Sequence, residues 1–164
     1  MTLADVNRLE RDAFVQQVGW VFEHSPWVAE RAWRRRPFAS LDDLHAALTD
    51  TMRAASREEQ LTLLRAHPDL GTKLTLSAAS SGEQASAGLD RLAADDCALL
   101  QRLNDAYRGK FGFPFLFAVK GSTPAQILVA LQEREPRDPS VEFDEALRQV
   151  SRIARFRLEQ LIEE

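Results

Sequence analysis

A serine followed three residues later by a carboxylate, just ahead of an apolar run, occurs three times in this chain: Ser40 with Asp43, Ser56 with Glu59, and Ser80 with Glu83. The hydroxyl accepts the N–H of the third helical residue while the acid reaches back to the serine's own N–H, so each pattern marks a helix start. Thr123, Pro124 and Gln126 carry an amide version, with proline at the first helical position, where its missing N–H costs nothing. Ser25 ahead of Pro26 reads as a further N-cap. Between these starts, apolar residues recur at steps of three and four, the helical period. The pattern predicts helices over about 3–9, 12–22 and 26–35, others opening after Ser40, Ser56 and Ser80, and then about 94–108 ending near Gly109, 124–134 and 141–162. The fold class that follows is all-α: a compact single-domain bundle, 1–164, of about eight or nine helices. One stretch breaks the pattern. Residues 111–119 hold four of the nine phenylalanines, and Pro114 forbids a regular helix through them. A strand needs a partner, and no second strand-like run exists, so 111–119 reads as an extended connector crossing the core.

A chain of 164 residues is the length of one domain and buries roughly 70% of its unfolded surface, enough for a core without staples. The formal charge of −4 argues against a nucleic-acid surface. The dense basic cluster, Arg31 with Arg34, Arg35 and Arg36, falls in the last turn of a predicted helix, where cations are favoured by the dipole. The single cysteine, Cys97, rules out an internal disulfide and fits a reducing, cytoplasmic setting; within a helical stretch it reads as a buried small hydrophobe. No run of eighteen apolar residues exists to span a membrane. The first ten residues are too polar for a signal peptide, and the last three are no peroxisomal signal.

The chemistry-bearing candidates are few. In His67-Pro68-Asp69-Leu70-Gly71, Pro68 stops the incoming helix and leaves an imidazole at the break. That ring is either a surface group against the helix C-terminus or, facing a cavity, an acid/base that titrates near neutral pH. Glu83 is either the acid of a capping box or, among Gly82, Gln84, Ala85, Ala87 and Gly88, a carboxylate beside room for a ligand. Arg157 is the anomaly of the last helix. Leu147, Val150, Ala154, Arg157 and Leu161 recur at steps of three and four, which is one helical face. A guanidinium there needs an acid, must line a cavity holding an anionic or carbonyl-rich ligand, or snorkels at the edge of the stripe; leucine in its place would complete the stripe. His24, beside the Ser25 cap, reads as structural and His45 as exposed. The three histidines lack metal-ligand spacing, and neither a phosphate-binding glycine loop nor a Gly-x-Ser-x-Gly elbow is present.

Taken in order, Glu23-His24-Ser25-Pro26-Trp27, Arg36-Pro37-Phe38, His67 to Gly71, Ser80-x-x-Glu83-Gln84-x-x-Ala87-Gly88-Leu89, Asn104-x-x-Tyr107-x-x-Lys110-Phe111-Gly112-Phe113-Pro114-Phe115 and Arg157-Leu158 resemble the OHCU decarboxylase family, the 2-oxo-4-hydroxy-4-carboxy-5-ureidoimidazoline decarboxylases. The resemblance runs from about Phe14 to Leu161. It implies a compact all-helical homodimer in the cytoplasm, with neither metal nor organic cofactor, no nucleic-acid partner and no membrane. The implied reaction is the last step of urate breakdown to (S)-allantoin. By motif, it implies His67 and Glu83 as the catalytic pair, Ser80, Gln84 and Arg157 as substrate contacts, and main-chain contacts at Pro68 and near Phe117, where relatives often carry an aliphatic residue.

The chemistry is consistent with a cofactor-free protein. Loss of CO2 leaves an electron pair that many decarboxylases delocalise into pyridoxal phosphate or thiamine; this substrate carries its own sink, a conjugated ring imine with ureido and carbonyl groups. Orientation, preorganised hydrogen bonds and one proton delivery are what remain for the protein. Two other readings compete: a non-enzymatic helical interaction module, and a lyase or amidohydrolase acting on a related ureido acid.

Overall fold

The computed structural model describes residues 1–71 and 77–163. Among them are nine α-helices: α1 Leu3–Arg8, α2 Arg11–Val18, α3 Trp27–Ala32, α4 Leu41–Ala54, α5 Arg57–Arg65, α6 Ala78–Ser86, α7 Ala94–Phe111, α8 Pro124–Arg134 and α9 Pro139–Leu161, with short 3₁₀ turns at Gly19–Val21, Trp33–Arg35 and Leu89–Arg91. No strand occurs among the described residues; one isolated parallel bridge joins Thr2 to Glu163. The all-helical expectation holds. The chain divides into two compact units, Met1–Ala66 with Val150–Glu164, and His67–Gln149.

The first unit buries Phe14, Val18, Val28, Leu44, Leu48, Met52, Leu63, Leu64, Ala154 and Leu158. A fully buried Leu, Phe or Met contributes about 1.5–3 kcal/mol each through apolar surface removed from water. Its connections are pinned by side chains. Asn7 Nδ2 donates to Phe38 C=O at 2.9 Å and its Oδ1 accepts the Phe38 N–H at 2.8 Å, while Phe14 and Phe38 stack at 6.1 Å. The basic cluster serves the helix end, as predicted. Arg36 donates to the carbonyls of Trp33, Asn7 and Leu9, and Arg35 lies 3.2 Å from Asp50.

In the second unit, α7, α8 and the start of α9 contact a connector without helix or strand at 113–119. Tyr107 stands in its aromatic cluster, with Phe113 and Phe115 edge-on at 6.0 and 5.4 Å. A connector outside helix and strand is therefore present, although Phe111 belongs to α7.

Local chemistry explains which helix starts hold. Ser56 with Glu59 and Thr123 with Gln126 form complete capping boxes. At Ser40 only half forms: the hydroxyl takes the Asp43 N–H at 3.1 Å, but the Asp43 carboxylate takes the N–H of Ala39. Ser25 is not a side-chain cap, because its hydroxyl donates to the Glu23 carbonyl at 2.9 Å and α3 opens after Pro26. Ser80 does not cap α6 either; Ser77 does, accepting the Ser80 N–H at 3.1 Å. Several serines compete along 77–81, and the helix begins at the first with extended geometry, φ −61° and ψ 156°. Gly109 lies inside α7, which ends at Gly112, where φ is 78°; a glycine ends a helix where the chain turns left-handed, not merely where it occurs. The 12–22 helix gives way to a 3₁₀ turn at Gly19. Cys97 is half-buried rather than buried, its Sγ 3.8 Å from the Leu92 carbonyl. His45 is half-buried rather than exposed, its Nε2 2.7 Å from the Ser151 carbonyl.

Candidate functional site

α5 ends at Arg65 because Pro68 disfavours helical geometry in His67. His67 emerges buried, 7% exposed, so it is not a surface histidine. The segment behind it is held at every residue. Asp69 pairs with Arg108 at 2.8 Å, the Leu70 carbonyl accepts from Asn104 Nδ2 at 2.9 Å, and the Gly71 N–H donates to Gln84 Oε1 at 2.9 Å. Gly71 has φ +72°, and a Cβ there would stand 2.5 Å from Leu100 Cδ2. Gly71→Ala is expected to cost about 1–2 kcal/mol from the left-handed backbone alone, lowering Tm by about 2–8 °C in a thermal scan, more if Leu100 cannot move aside. A Tm equal to wild type would show that the turn relaxes freely.

The face of α6 that meets this segment carries the other candidates. Ser80, Glu83 and Gln84 sit at i, i+3 and i+4 and share one side of the helix. Ser80 and Gln84 are buried and Glu83 is half-buried. With Ser77 as the cap, Glu83 lies past the first turn, so the capping-box explanation of its carboxylate falls away. Gln84 joins α6 to the histidine segment: besides Gly71, its Nε2 lies 3.5 Å from the Asp69 carbonyl. Gln84 thus ties α6 to Asp69 and Gly71, in the segment that follows His67 and Pro68.

Phe117 belongs to the same unit, on the connector. Its ring stacks on Phe115 at 5.9 Å, 12° from parallel. The peptide groups on either side are taken: Arg134 Nη1 donates to the Leu116 carbonyl at 2.6 Å, and the Ala118 N–H donates to Gln149 Oε1 at 2.9 Å. Arg134 is paired through Nε with Glu142, whose Oε1 also accepts from Tyr107 Oη at 2.6 Å. Burial first, and the bond to Glu142 second, push the Tyr107 phenol well above its usual range, so it stays a donor.

Arg157 lies in the other unit, on the predicted stripe of α9, and is 1% exposed; it does not snorkel. Its acid is Glu23, also buried, with Nη2 2.9 Å from Oε2, while Nη1 lies 3.3 and 3.5 Å from the Trp20 and Val21 carbonyls. Leucine would therefore not simply complete the stripe, since it would strand a buried carboxylate. His24 follows Glu23 with φ 47° and an exposed ring, Nε2 3.7 Å from Glu23 Oε1.

Glu23, Arg134, Glu142 and Gln149 are among the buried polar residues that escaped the sequence reading as candidates. Three carried the signal that exposed Arg157. Ile127, Leu131 and Arg134 step by four and three, and Glu142, Ala146, Gln149 and Ile153 step by four, three and four, a polar group replacing an aliphatic one on the buried face. Among the described residues no group of three or more His, Cys, Asp or Glu side chains is arranged to hold a metal ion.

Comparison with known proteins places this arrangement in context. The family model for OHCU decarboxylase matches residues 7–159. The chain is 51% identical over 158 residues to 2-oxo-4-hydroxy-4-carboxy-5-ureidoimidazoline decarboxylase of Haloferax volcanii, covering 96% of this chain and 94% of that protein. It is 45% identical to the uric acid degradation bifunctional protein of Bacillus subtilis, covering 99% of this chain but 33% of that longer protein. Among solved structures, that of (S)-allantoin synthase superimposes with a TM-score of 0.82 at 31% identity, over 99% of this chain and 54% of that one. An OHCU decarboxylase crystallised in the presence of (S)-allantoin shares the fold, with a TM-score of 0.70 at 24% identity over 84% of this chain and 92% of that one.

Proposed function

We propose that this chain, which belongs to the OHCU decarboxylase family, removes CO2 from 2-oxo-4-hydroxy-4-carboxy-5-ureidoimidazoline to give (S)-allantoin, the closing step of urate breakdown. The observation that carries the reading is a buried histidine at a proline-terminated helix end, followed by a segment, Asp69 to Gly71, that Gln84 of α6 binds. In this reading the C–C bond to the carboxylate breaks, the pair moves toward the neighbouring ring imine, the hydroxyl becomes the ring carbonyl as it gives up its proton, and a proton is delivered to one face of the neighbouring carbon, the one that bears the ureido arm. His67 moves a proton, from the substrate hydroxyl or to that carbon. Glu83 accepts N–H groups of the ureido arm or ring and steadies the imidazole. Ser80 and Gln84 complete the polar contacts, with the main chain at Pro68 and Phe117. Arg157 holds a carbonyl or the carboxylate through its planar fork. Neither metal nor organic cofactor takes part, since the substrate supplies its own electron sink. The working form is a cytoplasmic homodimer.

The test uses freshly generated substrate and follows the circular dichroism of chiral allantoin, with and without a chelator. Acceleration of (S)-allantoin formation that is indifferent to chelator is the expected result. Racemic allantoin appearing at the spontaneous rate would sink the assignment in favour of a binding module, and activity abolished by chelator would sink the cofactor-free mechanism.

A further inference from the structure

From Phe113 to Val119 the connector is buried at every residue but one, Phe117. A buried segment outside helix and strand leaves backbone donors and acceptors that must find other partners. Two of them have: the Leu116 carbonyl on Arg134 and the Ala118 N–H on Gln149. The Phe117 N–H and C=O make no hydrogen bond among the described residues. Both peptides that flank Phe117 are trans, so within each plane the N–H and C=O point in opposite directions. Holding the Leu116 carbonyl turns the Phe117 N–H away from Arg134, and holding the Ala118 N–H turns the Phe117 carbonyl away from Gln149.

The two anchors are themselves fixed. Arg134 is 4% exposed and paired with Glu142, which Tyr107 holds from the other side. Its guanidinium lies 4.5 Å over the Phe115 ring. Gln149, 5% exposed, donates its Nε2 to Glu145 Oε1 at 2.8 Å, which orients the amide so that its oxygen meets Ala118. Burying an arginine, a glutamate and a glutamine to place two peptide planes is costly; Arg134 Nη2 and Glu142 Oε2 have no hydrogen-bond partner among the described residues, and the bonds that are made converge on the peptides that flank Phe117.

We propose that Arg134 and Gln149 are positioning residues that present the Phe117 N–H and C=O as a rigid donor–acceptor pair for the ureido arm of the substrate. A ureido group carries an N–H and a C=O side by side and pairs with such a main chain as one strand residue pairs with another. The inference rests on the proposed decarboxylase reading, in which the Phe117 main chain touches the ligand. The ureido arm stands on the ring carbon next to the one that loses CO2, but its own N–H and C=O are neither made nor broken in the reaction, so the pair contributes binding largely shared by substrate and transition state, which appears in KM more than in kcat.

Gln149→Met removes the acceptor while keeping similar volume. The expected result is a KM for the substrate about tenfold or more higher, with kcat within about threefold of wild type and a matching loss of (S)-allantoin affinity in a calorimetric titration. In the exchange Glu145→Gln with Gln149→Glu, position 149 still accepts the Ala118 N–H while the bond between 145 and 149 reverses its direction, and the exchange is expected to bring KM back. A merely structural Gln149 would lower Tm and leave KM and product affinity within twofold, which overturns the proposal. Where Gln149→Met does not fold, Phe117→Pro deletes the N–H and Phe117→Leu keeps it while losing the ring. A raised KM in the first variant alone is expected, and equal KM in both overturns the proposal. Wild-type protein without decarboxylase activity removes both the reading and this ligand, and is told apart because it precedes any comparison of variants.

Discussion

Asparagine at position 67 lowers decarboxylation by about 10²-fold or more, the usual cost of losing a positioned acid/base, and leaves the protein folded. An amide occupies much of the space of the ring and keeps hydrogen-bonding atoms, but it does not exchange a proton near neutral pH. The surrounding segment does not depend on the ring alone for its shape, because Asp69, Leu70 and Gly71 are each tied to α6 or α7. Steady-state kinetics with fresh substrate, beside a thermal melt, checks the expectation. Activity within a few-fold of wild type would take His67 out of the mechanism, whereas lost activity with a collapsed Tm would make it a structural histidine.

Arg157→Leu is expected to destabilise by about 3–5 kcal/mol, since removing one partner of a buried pair leaves the other charge uncompensated. The charge left behind is Glu23, 2% exposed. For a chain of this length Tm then falls by about 10 °C. Replacing both residues, Glu23→Met with Arg157→Leu, removes the stranded carboxylate and is expected to restore most of that stability, because apolar replacement of a buried pair is often neutral or better. The double variant separates the two roles of the guanidinium. Recovered stability with activity still about 10²-fold down is the expected outcome and assigns Arg157 to the substrate as well as to Glu23. Recovery of both would make it a structural residue only, and an unrecovered Tm would show that Glu23 is not what the arginine balances.

The elements legible from the sequence are those written within four residues. The boxes at Ser56 and Thr123 form as read, Pro68 ends α5, and α8 occupies its predicted span. Where two local signals overlap, the reading slips. Ser77 and Ser80 both offer a hydroxyl to the same helix start, and the choice of Ser77 moved Glu83 from a cap to a helix face. Gly109 and Gly112 likewise both offered a stop, and only the second takes the left-handed turn.

The candidate site divides along the same line. The break at His67, the i, i+3, i+4 face of Ser80, Glu83 and Gln84, and the misplaced charge of Arg157 are properties of short windows of chain, so the sequence alone determined them. The partner of Arg157 lies 134 residues away at Glu23, and the groups that hold Phe117 come from α8 and α9. Periodicity says that a buried guanidinium must find an acid, but it cannot say which. That choice is a matter of which helices pack together, a long-range outcome of burying apolar faces, and only the tertiary structure decided it.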